Sequence, residues 1–161
     1  MRHICSRRIF INRILPAAAV LTILALLAYN NAFNTPFSFD DQPNIVDNPY
    51  IRLTGMTPQA LAQIFKILSA NRPLANLSFA INYYFHGYDT RGYHTVNLII
   101  HIITALLILL VTEQTLRRCK IRPGLIPVFA AALWLSNPLH TQSVTYVVQR
   151  MNSMAAMFFM L

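Results

Sequence analysis

The sequence predicts an all-helical protein that crosses a membrane several times. Only 11% of its 161 residues are charged and 55% are hydrophobic, whereas ordinary globular proteins carry roughly 25% charged residues. The apolar residues also form long runs without charge, and a helix of about 20 such residues can cross a bilayer. The basic residues gather in two short segments beside these runs, which is the pattern of a membrane topology signal.

Four apolar segments predict the spans. The first covers residues 14–33 and contains no charge. The second covers residues 96–112, and the third, residues 124–139, is shorter and contains Pro127. A fourth begins within residues 147–161, where the sequence ends on apolar side chains. We therefore expect three spans and the start of a fourth.

The positive charge orients these spans. Four arginines lie in residues 1–13, and four Arg or Lys residues lie in residues 113–123. Because Lys and Arg are retained on the cytoplasmic side, we expect both segments inside and residues 34–95 and 140–146 outside. The formal net charge of +8 then requires no nucleic-acid partner. The first apolar run is longer than the core of a cleavable signal peptide, so we favour an uncleaved signal anchor.

The long outside loop contains two predicted amphipathic helices. Thr57 and Pro58 fit the cap and first position of the first helix. Its apolar residues recur at helical spacing: Leu61, Ile64, Phe65 and Leu68. The second helix follows Arg72 and presents a similar stripe: Leu74, Leu77, Ile81, Tyr84 and Phe85. We expect both helices to lie along the membrane interface, which is compatible with packing of one against the other.

An acidic pair stands near the start of this loop. Asp40 and Asp41 precede the turn-rich sequence QPNIVDNP. In an extended segment, adjacent side chains point to opposite faces. One carboxylate could then act as a general base while the other holds a backbone amide, a cation or an arginine. The alternative is a structural role, because Asp is common in turns, where it bonds the backbone that follows.

Arg72 lies between the two amphipathic helices. Its guanidinium could bind a phosphate with two hydrogen bonds. It could equally snorkel towards the interface, or pair with Asp47 or Asp89.

Arg150 and His140 lie where the third and fourth spans meet outside. An arginine inside a span costs about 2.5–3.5 kcal/mol on insertion scales. Near the interface this cost is lower, so Arg150 could instead snorkel. Otherwise we expect it to have a partner, either Asp40, Asp41 or a bound phosphate.

The remaining histidines and the cysteines predict no metal site. Histidines 86, 94, 101 and 140 lack the close spacing of metal ligands. His101, inside the second apolar segment, is expected to be a neutral, hydrogen-bonded packing residue. Cys5 and Cys119 both fall on the predicted cytoplasmic side, so we expect free thiols.

Several segments in order resemble a known family. They read FDD, NRPL with NYYFHG, GYHTVNLIIHIITALLI and LWLSNPLHTQSVTYVVQRMNSMAAMFF. This series resembles the N-terminal membrane part of the transmembrane and tetratricopeptide-repeat O-mannosyltransferases and their bacterial relatives, which belong to the GT-C class of glycosyltransferases. The resemblance covers the chain from about Phe37 onward. The chain differs from the usual pattern at Asn137, where the family commonly has His, and at Gln142, where it often has an acid.

The resemblance implies an all-helical, polytopic GT-C-like fold and the transfer of a sugar from a polyprenyl-phosphate carrier to a protein Ser or Thr hydroxyl. It implies Asp40 and Asp41 as the catalytic pair, and Arg72, His140 and Arg150 as ligands of the donor phosphate. The expected partners are membrane lipid, the lipid-linked sugar and the protein acceptor, with a divalent metal left open. We expect the protein in a bacterial inner membrane.

The length of the chain suggests an N-terminal fragment, which we expect to be inactive by itself, because such enzymes have many more spans. Two other functions remain open. One is a non-enzymatic membrane anchor or assembly subunit, and the other is part of a transporter.

Overall fold

The computed structural model describes residues 2–55, 57–59, 62 and 72–161, and within these ranges it contains helices and turns but no strand. The helices are α1 (Arg2–Tyr29), α2 (Pro73–His86), α3 (Thr90–Arg118), α4 (Ile126–Leu135), α5 (Gln142–Thr145) and α6 (Arg150–Met160). The all-helical fold class is thereby confirmed for the described residues. The GT-C arrangement stays a prediction.

Within the residues that the structure describes, two helices are long and apolar enough to cross a membrane. They are Arg13–Asn34, which joins most of α1 to the 3-10 turn after it, and α3. At about 1.5 Å per residue, the 29 residues of α3 exceed the ~30 Å hydrocarbon thickness of a bilayer. The predicted segments 14–33 and 96–112 lie inside these two helices.

The predicted third segment, residues 124–139, contains a shorter helix. α4 has 10 residues, or about 15 Å, which is half the hydrocarbon thickness. It ends before Asn137, whose extended backbone and side-chain bond to the Leu139 N–H begin a 3-10 turn. Pro138 explains this end, since a proline disfavours helical geometry in the residue before it. A crossing by this segment therefore stays a prediction, as does one by α6.

A first hydrophobic cluster joins α1, α3 and α4. Its buried members include Leu21, Ala25, Tyr29, Ala105, Leu109, Ala131 and Leu135. The carbonyl of Leu135 lies at the end of α4, where helix carbonyls lack intrahelical donors. It accepts hydrogen bonds from the Tyr29 hydroxyl (2.9 Å) and from Nε2 of His101 (3.1 Å). Two polar side chains thus fasten α1 and α3 to α4.

A second cluster joins the outside loop to α2, α3 and the chain before α6. Its buried residues are Ile45, Ile51, Leu53, Phe79, Ala80, Tyr93 and Val147. Phe37 from the loop and Met151 from α6 pack against this cluster. The loop that carries the acidic pair is therefore folded onto the start of α3, which places it beside residues that lie more than 100 positions further along the chain.

Of the two predicted amphipathic helices, the first lies largely outside the described residues. The second corresponds to α2, which buries Ala75, Phe79 and Asn82 against the second cluster. The predicted stripe is divided, since Leu77 packs against the second cluster, whereas Leu74 is 50% and Phe85 65% exposed. A membrane interface as its cover stays a prediction.

The Leu135 carbonyl provides a test of this packing. We expect Tyr29→Phe to lower the free energy of unfolding by about 0.5–1.5 kcal/mol, the usual net value of one hydrogen bond. Thermal unfolding in detergent measures it, with Tyr84→Phe as the matched control because Tyr84 is 41% exposed. Equal melting temperatures for the two variants would contradict this role of Tyr29.

Candidate active site

The acidic pair occupies a turn, which we call the acidic loop (residues 37–47). Phe39 has a left-handed backbone (φ 47°) and Asp41 a helical one (φ −62°, ψ −34°). The segment is therefore turned, whereas the sequence reasoning assumed an extended segment. The two carboxylates nevertheless face different surroundings, because Asp41 is fully buried and Asp40 is exposed.

Asp41 binds backbone amides. One carboxylate oxygen accepts the N–H of Ser38 (3.0 Å) and the other accepts the N–H of Val148 (2.7 Å). The first bond closes the turn, and the second ties the acidic loop to the chain just before α6. Burial raises the pKa of the Asp41 carboxyl above its usual value, while the backbone hydrogen bonds and the neighbouring His94 lower it.

Asp40 lies next to Tyr146. The backbone N–H of Asp40 donates to the Tyr146 hydroxyl (2.9 Å), and the Asp40 carbonyl accepts from the side-chain amide of Asn44 (2.7 Å). Desolvation first, and then the charge of Asp40 and Asp41, raise the pKa of Tyr146. The Tyr146 ring also packs edge-on against Phe39 (6.4 Å between centroids). These contacts fix the backbone of Asp40 while its side chain remains at the surface.

Arg150 is fully buried at the start of α6. All three guanidinium nitrogens donate hydrogen bonds, and the acceptors form what we call the arginine network. Nε donates to Asn97 (2.7 Å), and Nη2 donates to Asn82 (2.8 Å) and to the carbonyl of Tyr93 (3.0 Å). Nη1 donates to the carbonyl and hydroxyl of Ser78, both at 3.3 Å. The network joins α2, α3 and α6 through one side chain.

The partners of Arg150 are neutral, contrary to the expected pairing with Asp40 or Asp41. No carboxylate in the described part of the chain forms an ion pair with it. The rings of Phe79 and Tyr93 lie 4.6 and 5.6 Å from the guanidinium carbon and add cation–π attraction. Phosphate binding by Arg150 stays a prediction, and it requires phosphate oxygens to replace acceptors that the folded chain already supplies.

Arg72 caps α2 with a left-handed backbone (φ 56°). Its side chain is exposed, and Nη1 lies 3.5 Å from the sulfur of Met151. An exposed guanidinium is thereby placed beside the start of α6. Asp40, Asp41 and Arg72 thus each contact the segment 146–151.

His140 contacts a different set of residues. Its ring centroid lies 4.7 Å from that of Trp134, which in turn stacks on His101 at 4.7 Å. These three side chains, with Ser143 and Asn152, line a cavity of about 230 Å³. The structure therefore separates His140 from the contacts that join Asp40, Asp41 and Arg72 to the segment 146–151.

Sequence reasoning missed Tyr146 and His94. Both ring nitrogens of the buried His94 lie 2.9 Å from carbonyl oxygens, those of Val144 and Thr35. The ring thus links the chain just before the acidic loop to α5. No spacing in the sequence marks either residue, because both partners of each are distant in the chain. Among the described residues, no three His, Cys, Asp or Glu side chains gather as metal ligands would.

Comparison with known proteins identifies the relatives of this chain. It is 30% identical over 159 residues to a protein O-mannosyl-transferase of Caenorhabditis elegans, which covers 86% of this chain and 21% of the relative. It is 31% identical to protein O-mannosyl-transferase TMTC1 of Mus musculus, over 90% of this chain and 16% of the relative. It is 33% identical to Tmtc1 of Drosophila melanogaster, over 84% of this chain and 16% of the relative. The predicted family resemblance is confirmed.

The chain is a homologue of the TMTC protein O-mannosyl-transferases. It spans about a fifth or less of the length of these three relatives. No family model and no solved structure matches it. Together with the two membrane-length helices, the homology indicates membrane association.

The arginine network can be tested by stability. We expect Arg150→Gln to lower the melting temperature in detergent strongly, because each buried acceptor left without a donor costs about 1–3 kcal/mol. Arg91→Gln removes the same charge from an exposed side chain and should change little. Similar small shifts in both variants would show that the network does not stabilise the fold.

The buried carboxyl of Asp41 predicts a pH dependence. Because its pKa is raised, the folded state binds this proton more tightly than the unfolded chain. The resulting contribution to stability is complete below the usual value of 3.8 and is lost as the pH rises through the raised pKa. We therefore expect the stability of the wild type relative to Asp41→Asn to fall over that range. Melting curves of both proteins at several pH values test this. A stability of the wild type, relative to Asp41→Asn, that rises with pH would contradict it.

Proposed function

We propose that this chain belongs to an integral-membrane glycosyltransferase that moves a sugar from a polyprenyl-phosphate donor to a protein Ser or Thr hydroxyl. The homology to proteins named protein O-mannosyl-transferase carries this proposal, and mannose is the sugar those names suggest. The geometry of the acidic loop supports it, because the loop presents one exposed carboxylate on a fixed backbone.

Asp40 is the proposed general base. As the bond from the anomeric carbon to the donor phosphate oxygen breaks, the acceptor hydroxyl oxygen bonds to that carbon and its proton passes to Asp40. The electron pair of the broken bond leaves with the lipid phosphate. A carboxylate is a weak base, but it suffices when the proton leaves late, and its charge also stabilises the developing positive charge on the sugar.

Asp41 and Tyr146 are proposed as positioning residues. Asp41 has both oxygens engaged by backbone amides, so its role is to hold the acidic loop on the segment before α6. Tyr146 holds the backbone N–H of Asp40. Holding a general base within hydrogen-bonding reach of the proton that it accepts supplies a large part of its contribution to the rate.

Arg72 is the proposed ligand of the departing phosphate. Its guanidinium is exposed beside Met151, where it can donate two parallel hydrogen bonds to phosphate oxygens. His140 and Arg150, which the family resemblance also implied as phosphate ligands, have their side chains directed to other neighbours. We propose Arg72 as the first of the three to test.

The proposed orientation in the membrane follows the charges at the two ends of α3. Arg117 and Arg118 lie in its last turn, whereas Asp89 caps its first. Because basic residues are retained inside, we propose that the end of α3 lies in the cytoplasm and the acidic loop outside. The donor lipid would then be met at the outer surface.

A second candidate is a non-enzymatic anchor or assembly subunit. The outward apolar residues of α2, such as Leu74 and Phe85, favour it, because a partner protein could cover them instead of lipid. The two functions differ in their dependence on the Asp40 carboxylate.

Replacement of that carboxylate is the deciding experiment. We expect Asp40→Asn to lower sugar transfer by about 10²–10⁴-fold, the usual contribution of general base catalysis. The melting temperature should stay unchanged, because Asn retains the backbone N–H that binds Tyr146. The measurement is transfer of radiolabelled mannose from polyprenyl phosphate to protein in membranes that contain a full-length protein carrying this segment and that lack other O-mannosyltransferases.

Asp47→Asn is the matched control, since Asp47 is another exposed carboxylate of the same loop. It should retain transfer. Full transfer by Asp40→Asn would exclude Asp40 as the base. Absence of transfer by the full-length wild type would favour the second candidate.

A further inference from the structure

A cavity of about 380 Å³ lies between α1, α3 and α4, at the end of α3 remote from the acidic loop. Its walls are mainly apolar: Ile14, Ala17, Val20, Leu109, Pro127 and Val128. α1 and α3 are the two helices long enough to cross a membrane. Val20 and Leu125 on the rim are 58% and 65% exposed, so the cavity opens towards the surface that the membrane placement exposes to lipid.

Charged side chains surround one end of this cavity. The Glu113 carboxylate is only 4% exposed and accepts from Arg117 Nη2 at 2.5 Å and Nε at 2.7 Å. Arg13 lies 4.0 Å from the same carboxylate and also donates to the carbonyl of Gly124. Gly124 has a left-handed backbone (φ 53°), which turns the loop at this point. The three side chains thus form a fixed polar end on an apolar cavity.

This end carries a surplus of positive charge. Arg13 and Arg117 are 39% and 38% exposed, so both still face outward. Three further cations follow in the same loop and are exposed: Arg118, Lys120 and Arg122. The other four of the five acidic residues lie between positions 40 and 89. Glu113 therefore offsets only one of five positive charges here.

We propose that this cavity is a binding site for an anionic phospholipid. One acyl chain fills the apolar part between α1, α3 and α4, where its carbons make close van der Waals contacts with the walls. The headgroup phosphate lies against Arg13 and Arg117, and the loop cations add long-range attraction. Basic pockets between membrane helices on the cytoplasmic side are known to bind such headgroups.

The charge pattern favours a phospholipid over another helix as the occupant. A packed helix would need acidic or neutral residues opposite five cations. An anionic phospholipid supplies a phosphate for the cations and an acyl chain for the apolar cavity. The inference rests on the membrane placement under Proposed function and is independent of the transfer reaction. Its readout therefore uses no sugar.

Native mass spectrometry tests the site. The detergent-solubilised full chain is mixed with equal amounts of phosphatidylglycerol and phosphatidylcholine, which have the same acyl chains. We expect one retained lipid per chain, predominantly phosphatidylglycerol. Inorganic phosphate in excess should not displace it, because phosphate lacks the acyl chain.

Two kinds of variant separate the two halves of the site. Arg13→Gln removes one headgroup contact and should lower phosphatidylglycerol retention about fivefold, the effect of one cation near anionic lipid. Ala17→Phe fills the cavity and should abolish retention of either lipid, with Val20→Phe on the same wall as a second variant if the first loses helicity. Arg91→Gln and Ile103→Phe, both at exposed positions of α3 outside the cavity, are the matched controls and should bind as the wild type does.

Three results would overturn the proposal. The first is equal retention of the two lipids by the wild type. The second is unchanged retention in Ala17→Phe and Val20→Phe, which would leave the cavity to another segment of protein. The third is displacement by inorganic phosphate alone, which would reduce the site to a surface anion contact.

Discussion

The buried guanidinium of Arg150 is the interaction on which the half of this structure that contains the acidic loop depends. Taking an arginine out of water is costly, and here the cost is offset by hydrogen bonds from all three nitrogens and by two aromatic faces. Its acceptors belong to α2 and α3, while Arg150 itself begins α6. The relative positions of three helices are thereby set by one side chain. An arginine surrounded by neutral acceptors also leaves the nearby carboxylates available for other contacts.

The carboxylates of the acidic loop make such other contacts. Asp41 binds the amide of Val148, two residues before Arg150, so the loop and the arginine network are fastened to the same short segment. His94 reinforces this connection, because its buried ring packs between the carbonyl of Thr35, just before the loop, and that of Val144. The result is a division between the two carboxylates. One is buried and shapes the loop, and the other is exposed on a backbone that Tyr146 holds.

The two ends of α3 carry opposite electrostatic character, and this pattern connects the two proposals. Its first turn lies beside the acidic loop, and its last turn bears Arg117 beside the buried Glu113. Between them the helix buries apolar residues such as Ala105 and Leu109. In the proposed membrane placement, the basic end of this helix is retained inside. A lipid-phosphate donor at one surface and an anionic phospholipid at the other would then bind different groups of residues.

The sequence by itself determined the helical class, the two long apolar helices and the family, because composition, run length and ordered motifs are local properties that need no packing information. It also singled out Asp40, Asp41, Arg72, His140 and Arg150 as candidates. Only the tertiary structure decided which of these are buried and what they touch. The partners of Arg150 lie between 53 and 72 positions away, and one of the two amides bound by Asp41, that of Val148, lies 107 positions away. Contacts over such separations depend on how the helices pack, and no local pattern encodes them.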